Sequence, residues 1–150
     1  MYHAMVRRQI RSAFDHLSSG DWAWLVDRMT EDPHHVFPGD HPLGGERHTR
    51  AAVILWFERL TSLFPGHEFE VQRVVSQGWP WSAWVAVEWT AVLRPRAGEP
   101  YTNSGAHWIH LRWGKVTQFH AYLDTQLIAD ACKGMASAGI EEASASPITD

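Results

Sequence analysis

Hydrophobic residues in the first part of the chain recur every three or four positions, which is the spacing of an amphipathic helix. The pattern predicts three helices, over residues 4–18, from Asp21 to about Met29, and over Arg50–Leu63. Gly20 suits the end of the first helix, and Pro65-Gly66 stops the third. Between the second and third helices, we expect a short strand at His34–Phe37 and a rigid loop over Pro38–Gly45.

The second part of the chain alternates between apolar and polar residues, which is the period of a half-buried strand. The alternating segments are His67–Val75, Ala83–Leu93 and the two arms of a hairpin around Trp113-Gly114. A two-residue loop with glycine in second place is typical of a tight hairpin. Asp124 then begins a closing helix that runs to about Ser137. Helices that are segregated from an antiparallel sheet predict an α+β fold.

Length and composition narrow the class of protein. The chain of 150 residues is long enough for one compact domain, which we expect over 1–138 with a flexible polar tail over 139–150. A formal charge of -4 argues against nucleic-acid binding, because phosphate contacts need a basic face. The single cysteine, Cys132, fits a reducing compartment, and no apolar run approaches the roughly 18 residues of a membrane span. We therefore expect a cytoplasmic protein with no membrane partner.

The last hairpin carries the most informative chemistry. A two-residue turn at Trp113-Gly114 would pair His110 with Thr117, and this register sends the more apolar face inward. The predicted inward face contains Ala106, Trp108, His110, Thr117, Phe119, Ala121 and Leu123. His110 is its only titratable group, and the face runs toward Asp124. An imidazole and a carboxylate directed at an apolar interior would suit proton transfer.

Five sequence segments carry a resemblance to a known family. They are SGDWAWL (Ser19–Leu25), FPGDHPLGG (Phe37–Gly45), WFERL (Trp56–Leu60), EWT (Glu88–Thr90) and AYLDTQ (Ala121–Gln126). With the order of elements, they resemble the nuclear transport factor 2-like superfamily, in its SnoaL-like and ketosteroid-isomerase-like branch. The resemblance implies a cone-shaped, curved antiparallel or mixed sheet around an apolar pocket, closed by three N-terminal helices and a C-terminal helix. It also implies a homodimer formed through the sheet.

The chain lacks several catalytic residues of this superfamily, and these differences narrow the range of reactions that it could catalyse. The catalytic base of the ketosteroid isomerases would fall near Phe37, and their second acid near Ala106, so steroid isomerisation is not expected. The limonene epoxide hydrolases share only the aspartate at Asp124, because the strand that carries their other two residues reads Trp89 and Ala91 here. A histidine and an aspartate in the last hairpin resemble the SnoaL-type cyclases.

The expected function is therefore that of a small, cofactor-independent acid–base enzyme of the isomerase, cyclase or lyase type. Its substrate would be a small, apolar, carbonyl-containing molecule. Asp124 would move the proton, and His110 would bind the enolate oxygen or relay the proton, with Asp40 and His41 at the pocket mouth. The expected pocket wall consists of Phe37, Trp56, Trp89, Trp108, Phe119 and Leu123.

Several alternatives remain open. Asp124 could be only the N-cap of the closing helix, and His110 could be a satisfied interior histidine. The protein could instead be a non-catalytic binder of hydrophobic ligands, an interaction subunit, or an epoxide-hydrolase-like enzyme in which Asp124 activates water. His34, His35, Asp40, His41 and His48 are metal-ligating residue types, but no metal is expected because the chain lacks HxH or HExxH spacing.

Overall fold

Four α-helices and six strands make up the computed structural model, which describes residues 1–150. The helices are α1 (Tyr2–Ser18), α2 (Ala23–Val26), α3 (Arg50–Leu63) and α4 (Thr125–Ser137). The strands are β1 (Met29–Phe37), β2 (Gly45–Arg47), β3 (Glu68–Trp79), β4 (Ser82–Leu93), β5 (Tyr101–Arg112) and β6 (Lys115–Leu123). A 3-10 helix follows at Glu141–Ser144.

All six strands form one mixed, curved and unclosed sheet in the order β2-β1-β6-β5-β4-β3. The β1–β6 pair is parallel, and every other neighbouring pair is antiparallel. This arrangement confirms the predicted α+β fold. The apolar faces of the sheet and the helices meet in one continuous core, as expected for layers that each bury one side.

Two elements near the start of the chain differ from the predictions. The second helix is a single turn, Ala23–Val26, and β1 already begins at Met29, inside the helix that we predicted. Pro33 lies within β1, where the pairing with β6 shifts register between Met29 and His34. Proline has no N–H to donate, so it is accommodated where the ladder is interrupted. The predicted loop, Pro38–Gly45, leads directly into β2 (Gly45–Arg47), a strand that was not predicted and that pairs with the end of β1.

The β5–β6 hairpin turns where predicted but changes register soon afterwards. Trp113 and Gly114 both have positive φ, 52° and 79°, as the predicted tight turn requires. Leu111 then pairs with Val116 while the preceding His110 pairs with Gln118, so Thr117 is an extra residue in β6. A one-residue slip exchanges the faces of the partner strand. The predicted inward face is therefore correct for the end of β6 and wrong for β5.

Arg47 fastens the C-terminal segment to the edge of the sheet. Its side chain is fully buried, and its guanidinium donates to the imidazole of His35 and to the carbonyls of Gly44, Gly45 and Ile148. The segment that we predicted to be a flexible tail thus makes specific contacts with the domain. The carbonyl oxygens accept the N–H groups of the guanidinium, and these hydrogen bonds stabilise the buried cation without an adjoining carboxylate.

None of the helices combines the length and the apolar character that a membrane crossing requires. The longest, α1, has charged and polar residues on the side opposite its buried stripe of Val6, Ile10, Phe14 and Leu17.

We predict that Arg47→Met lowers the free energy of unfolding by about 2–4 kcal/mol, because it leaves several buried acceptors without a donor. Urea denaturation followed by tryptophan fluorescence measures the change. The matched control is Arg112→Met, at an exposed position beside the hairpin turn, which should change stability by no more than about 0.5 kcal/mol. Equal losses in both variants would contradict the role of Arg47.

Candidate functional site

A small apolar cavity lies between the inward face of the sheet and the helices. Sixteen residues line it, and fourteen of them are hydrophobic. The wall consists of Leu17, Phe37, Leu43, Trp56, Phe57, Leu60, Phe64, His67, Phe69, Trp89, Ala91, Leu93, His107, Phe119, Leu123 and Ile128. Its volume is about 40 Å³, enough for water-sized occupants but well below the roughly 150 Å³ of a cavity that admits benzene. A larger ligand would require the side chains of the wall to move.

His107 and Trp89 form a hydrogen bond in this wall. The indole Nε1–H of Trp89 donates to Nδ1 of His107 over 2.8 Å, and both side chains are buried. The imidazole also lies against Phe14 and Phe119, at ring-centroid distances of 5.3 and 4.4 Å. Gly105 faces Trp89 across the β4–β5 pair, and a Cβ at that position would overlap the carbonyl oxygen of Tyr122 and lie 3.0 Å from the indole. The absent side chain therefore leaves room for both the backbone of β6 and the indole.

Burial sets the charge of His107, and the hydrogen bond from Trp89 sets which ring nitrogen carries the proton. Burial, with a smaller contribution from the nearby His120, lowers the pKa of His107 to about 3. The ring is therefore neutral at pH 7. Since an indole can only donate, Nδ1 must be the acceptor, and the single ring proton lies on Nε2. Nε2 has no hydrogen-bond partner within the protein, so it is the nitrogen left for a molecule in the cavity.

His67 is the other titratable residue in the wall. Its Nδ1 lies 3.2 Å from the carbonyl oxygen of Phe64, which can only accept, so that nitrogen carries a proton. Burial lowers the pKa of His67, while the backbone carbonyls of Phe64 and Leu17 act in the opposite direction. No aspartate or glutamate lines the cavity. The site thus offers imidazole chemistry in an otherwise apolar enclosure.

A third buried imidazole, His35, lies behind the wall. Its Nδ1 accepts the hydrogen bond from Nε of Arg47 over 2.9 Å, and its ring stacks on Phe119 at 6.0 Å. Burial, followed by the charge of Arg47, holds the pKa of His35 well below its usual range. Because Arg47 only donates, His35 is also neutral, with its proton on Nε2.

The predicted inward orientation of His110 is wrong. The ring lies on the outer face of β5, where its two nitrogens contact the hydroxyls of Ser82 and Thr117 and its plane packs against Trp84. The physical reason is the extra residue Thr117, which reverses the faces of β5 relative to β6. His110 therefore does not line the cavity.

Asp124 lies at the N-terminus of α4 and is exposed. Its carboxylate accepts hydrogen bonds from the backbone N–H groups of Gln126 and Leu127, at 3.1 and 3.4 Å. This is the capping alternative left open by the sequence. The predicted pair of His110 and Asp124 is therefore not brought together in the cavity.

Asp40 and His41 lie in the loop between β1 and β2. Asp40 is exposed, whereas His41 is buried and has both nitrogens engaged within the loop. Its Nδ1 accepts from the backbone N–H of Leu43 over 3.2 Å, and its Nε2 donates to the carbonyl of Pro38 over 2.9 Å. Neither residue lines the cavity, and His41 has no nitrogen left for a ligand.

Five of the six residues predicted to form the pocket wall line the cavity, and one does not. Those that line the cavity are Phe37, Trp56, Trp89, Phe119 and Leu123. Trp108 does not, because it lies on the outer face of β5, is 44% exposed and stacks on Trp84. Sequence reasoning missed His107 through the same error of register. The usable signal was Trp89: a buried indole needs an acceptor, and the strand next to β4 offers His107.

Comparisons with known proteins identify a family. The SnoaL-like domain family matches residues 10–119. No curated protein is similar enough to match the chain.

Solved structures share the fold. A nuclear transport factor 2-like protein of unknown function from Burkholderia pseudomallei K96243 is similar over 83% of this chain and 95% of its own, with 16% identity and a TM-score of 0.74. TerC, co-crystallised with polyporic acid, covers 81% and 93%, with 21% identity and a TM-score of 0.70. A nuclear transport factor 2-like protein from Burkholderia xenovorans LB400 covers 81% and 91%, with 25% identity and a TM-score of 0.65.

We predict that the free energy of unfolding falls between pH 7 and pH 5. The unfolded chain binds a proton at each histidine near pH 6.5, whereas folded His107 stays neutral down to about pH 3. The contribution of such a histidine to the free energy of unfolding is therefore fully present above pH 6.5. Below that pH it decreases by up to about 1.4 kcal/mol per pH unit for each such histidine. Urea denaturation at several pH values should give a shallower slope for His107→Gln. An unchanged slope would contradict the buried, neutral state.

Proposed function

Because the chain belongs to the SnoaL-like domain family of the nuclear transport factor 2-like superfamily, we propose that its cavity binds a small, mainly apolar molecule that carries one hydrogen-bond acceptor. The acceptor, such as a carbonyl oxygen, receives the Nε2–H of His107. The observation that carries this proposal is the Trp89–His107 hydrogen bond, which leaves one oriented donor in a wall that is otherwise almost entirely apolar. Sites of this composition gain affinity from apolar contact and orientation from a few polar groups.

The volume of the cavity limits the ligand. About 40 Å³ admits only part of a ring system unless the wall opens. The aromatic side chains around it include Phe69 and Trp89, whose rings meet edge to face at 5.0 Å. We infer that binding moves such side chains and that a small ketone is a better first probe than a polycyclic compound. TerC, co-crystallised with polyporic acid, is a precedent for a ligand in a similar fold.

Acid–base chemistry on the bound carbonyl is a second candidate function. The observation that favours it is the presence of two titratable rings, His67 and His107, in the same apolar wall. A neutral imidazole donor polarises a carbonyl, and the lowered pKa of His107 keeps the ring in that form. His67 would then accept a proton from the adjacent carbon. Asp124, which is exposed and caps the N-terminus of α4, takes no part in this proposed reaction.

The homodimer through the sheet stays a prediction. The outer face of β5 and β6 exposes Trp108 and Tyr122, at 44% and 59%, which is the kind of aromatic surface that subunit contacts use.

We predict that cyclopentanone binds about two- to tenfold more tightly than methylenecyclopentane, which has nearly the same shape but no acceptor oxygen. The ratio corresponds to the about 0.5–1.5 kcal/mol net contribution of one hydrogen bond. NMR chemical-shift titration of each probe measures both dissociation constants. His107→Phe should abolish the preference for the ketone while retaining binding of the alkene.

Two controls make the result decisive. Trp89→Phe keeps His107 but removes the bond that fixes its proton, so the preference should shrink without disappearing. Near-UV circular dichroism checks that each variant is folded. Equal affinity of the wild type for the two probes would overturn the role of His107, and failure of both to bind would overturn the binding function.

The same samples test the catalytic candidate. In D2O, exchange of the α-protons of cyclopentanone should be faster with the wild type than with buffer, and His67→Asn should lose the acceleration. Exchange at the buffer rate while the ketone is bound would leave ligand binding as the function and exclude this chemistry.

A further inference from the structure

Strand pairing brings together a group of metal-ligating side chains that are far apart in the sequence. His35 pairs with Arg47 and Val36 with Glu46, so continuing the antiparallel register places His34 opposite His48. The parallel neighbour β6 places His120 beside Val36. His35 and Arg47 point into the core, so the alternating positions project from the opposite, outer face.

The distances within this outer-face cluster are short. Nε2 of His34 lies 2.7 Å from a carboxylate oxygen of Glu46. The rings of His34 and His48 stack in parallel, with centroids 4.8 Å apart and an interplanar angle of 8°. One ligand atom from each of His34, Glu46 and His48 lies within 4.8 Å of the others. None of the three lines the cavity, so this cluster is separate from the site described above.

We propose that His34, Glu46 and His48 form a binding site for a divalent transition-metal ion of the Zn²⁺ class. Two imidazoles and one carboxylate, with a remaining position open to water, match the ligand preference of Zn²⁺ and its neighbours rather than that of Mg²⁺ or Ca²⁺. Ligand atoms around tetrahedral Zn²⁺ lie roughly 3.3 Å apart, given bonds of about 2.0–2.1 Å. The exposed side chains of Glu46 and His48 can reach that spacing by small rotations.

Neighbouring side chains contact the ring nitrogens of His34 and His48 that face away from the proposed metal position. Nδ1 of His34 lies 3.1 Å from Nε2 of His120, which leaves Nε2 of His34 directed at Glu46 and the metal position. The carboxylate of Asp150 lies 3.6 Å from Nδ1 of His48 and accepts a hydrogen bond from the His48 backbone N–H over 2.7 Å. Carboxylate and imidazole partners of this kind fix the ring orientation of metal-binding histidines. A bound ion would therefore link β1, β2 and the C-terminal segment.

The test is titration of the full chain without a polyhistidine tag, using Zn²⁺ in isothermal titration calorimetry and Co²⁺ in visible absorption. We expect saturation at one ion per chain and a Co²⁺ spectrum typical of nitrogen and oxygen ligands. His34→Gln and His48→Gln should each abolish saturable binding. Asp150→Asn should weaken it by about 10–100-fold, as for loss of an outer partner.

The matched control is His16→Gln, which removes an exposed histidine that also contacts a carboxylate, Asp21, at 2.9 Å elsewhere on the surface. It should bind Zn²⁺ as the wild type does. Far-UV circular dichroism without metal checks that every variant is folded. Absence of saturable binding in the wild type, or unchanged binding in both His34→Gln and His48→Gln, would overturn the proposal.

Discussion

The indole N–H of Trp89 donates to Nδ1 of His107 inside a wall that offers almost no other polar group. Burial makes an unpaired N–H costly, and it makes a charged imidazole costlier still. Because the indole can only donate, the imidazole must accept at Nδ1, stay neutral and carry its proton on Nε2. Burial thus keeps the ring of His107 neutral, and the hydrogen bond from Trp89 leaves Nε2–H as the donor available to a ligand acceptor.

The position of His107 depends in turn on one extra residue in the neighbouring strand. Thr117 separates the Leu111–Val116 and His110–Gln118 pairs, and beyond it Phe119 faces Ile109 while Ala121 faces His107. Inward residues of β6 therefore lie beside inward residues of β5 only because of the bulge. The hydroxyl of Thr117 bonds to the ring and the backbone carbonyl of His110, which holds the bulge on the outer face.

Local patterns made most of the fold predictable. The helical stripe of α1, the Thr49 cap of α3 and the tight turn at Trp113 all depend on nearby residues, and all are observed. β2 and the docking of Ile148 on Arg47 were not predictable, because they depend on partners distant in sequence. The candidate site divides in the same way. Patterns within single elements predicted most of the aromatic residues of the wall. Predicting His107 required the correct register between β5 and β6, which the bulge at Thr117 shifts.

The proposed binding of a mainly apolar ligand with one acceptor agrees with a wall that is almost entirely apolar, contains the His107 imidazole and has no carboxylate. In this structure His107 is neutral, with its proton on Nε2, throughout the physiological pH range. Long-range ¹H–¹⁵N correlation NMR on the histidine-labelled protein, with His107 assigned through His107→Gln, tests it most directly. The burial of His107 and its hydrogen bond from Trp89 predict an unprotonated Nδ1, a protonated Nε2 and no titration of this ring between pH 8 and about pH 4. Protonation of His107 near pH 6.5, or a proton on Nδ1, would contradict it.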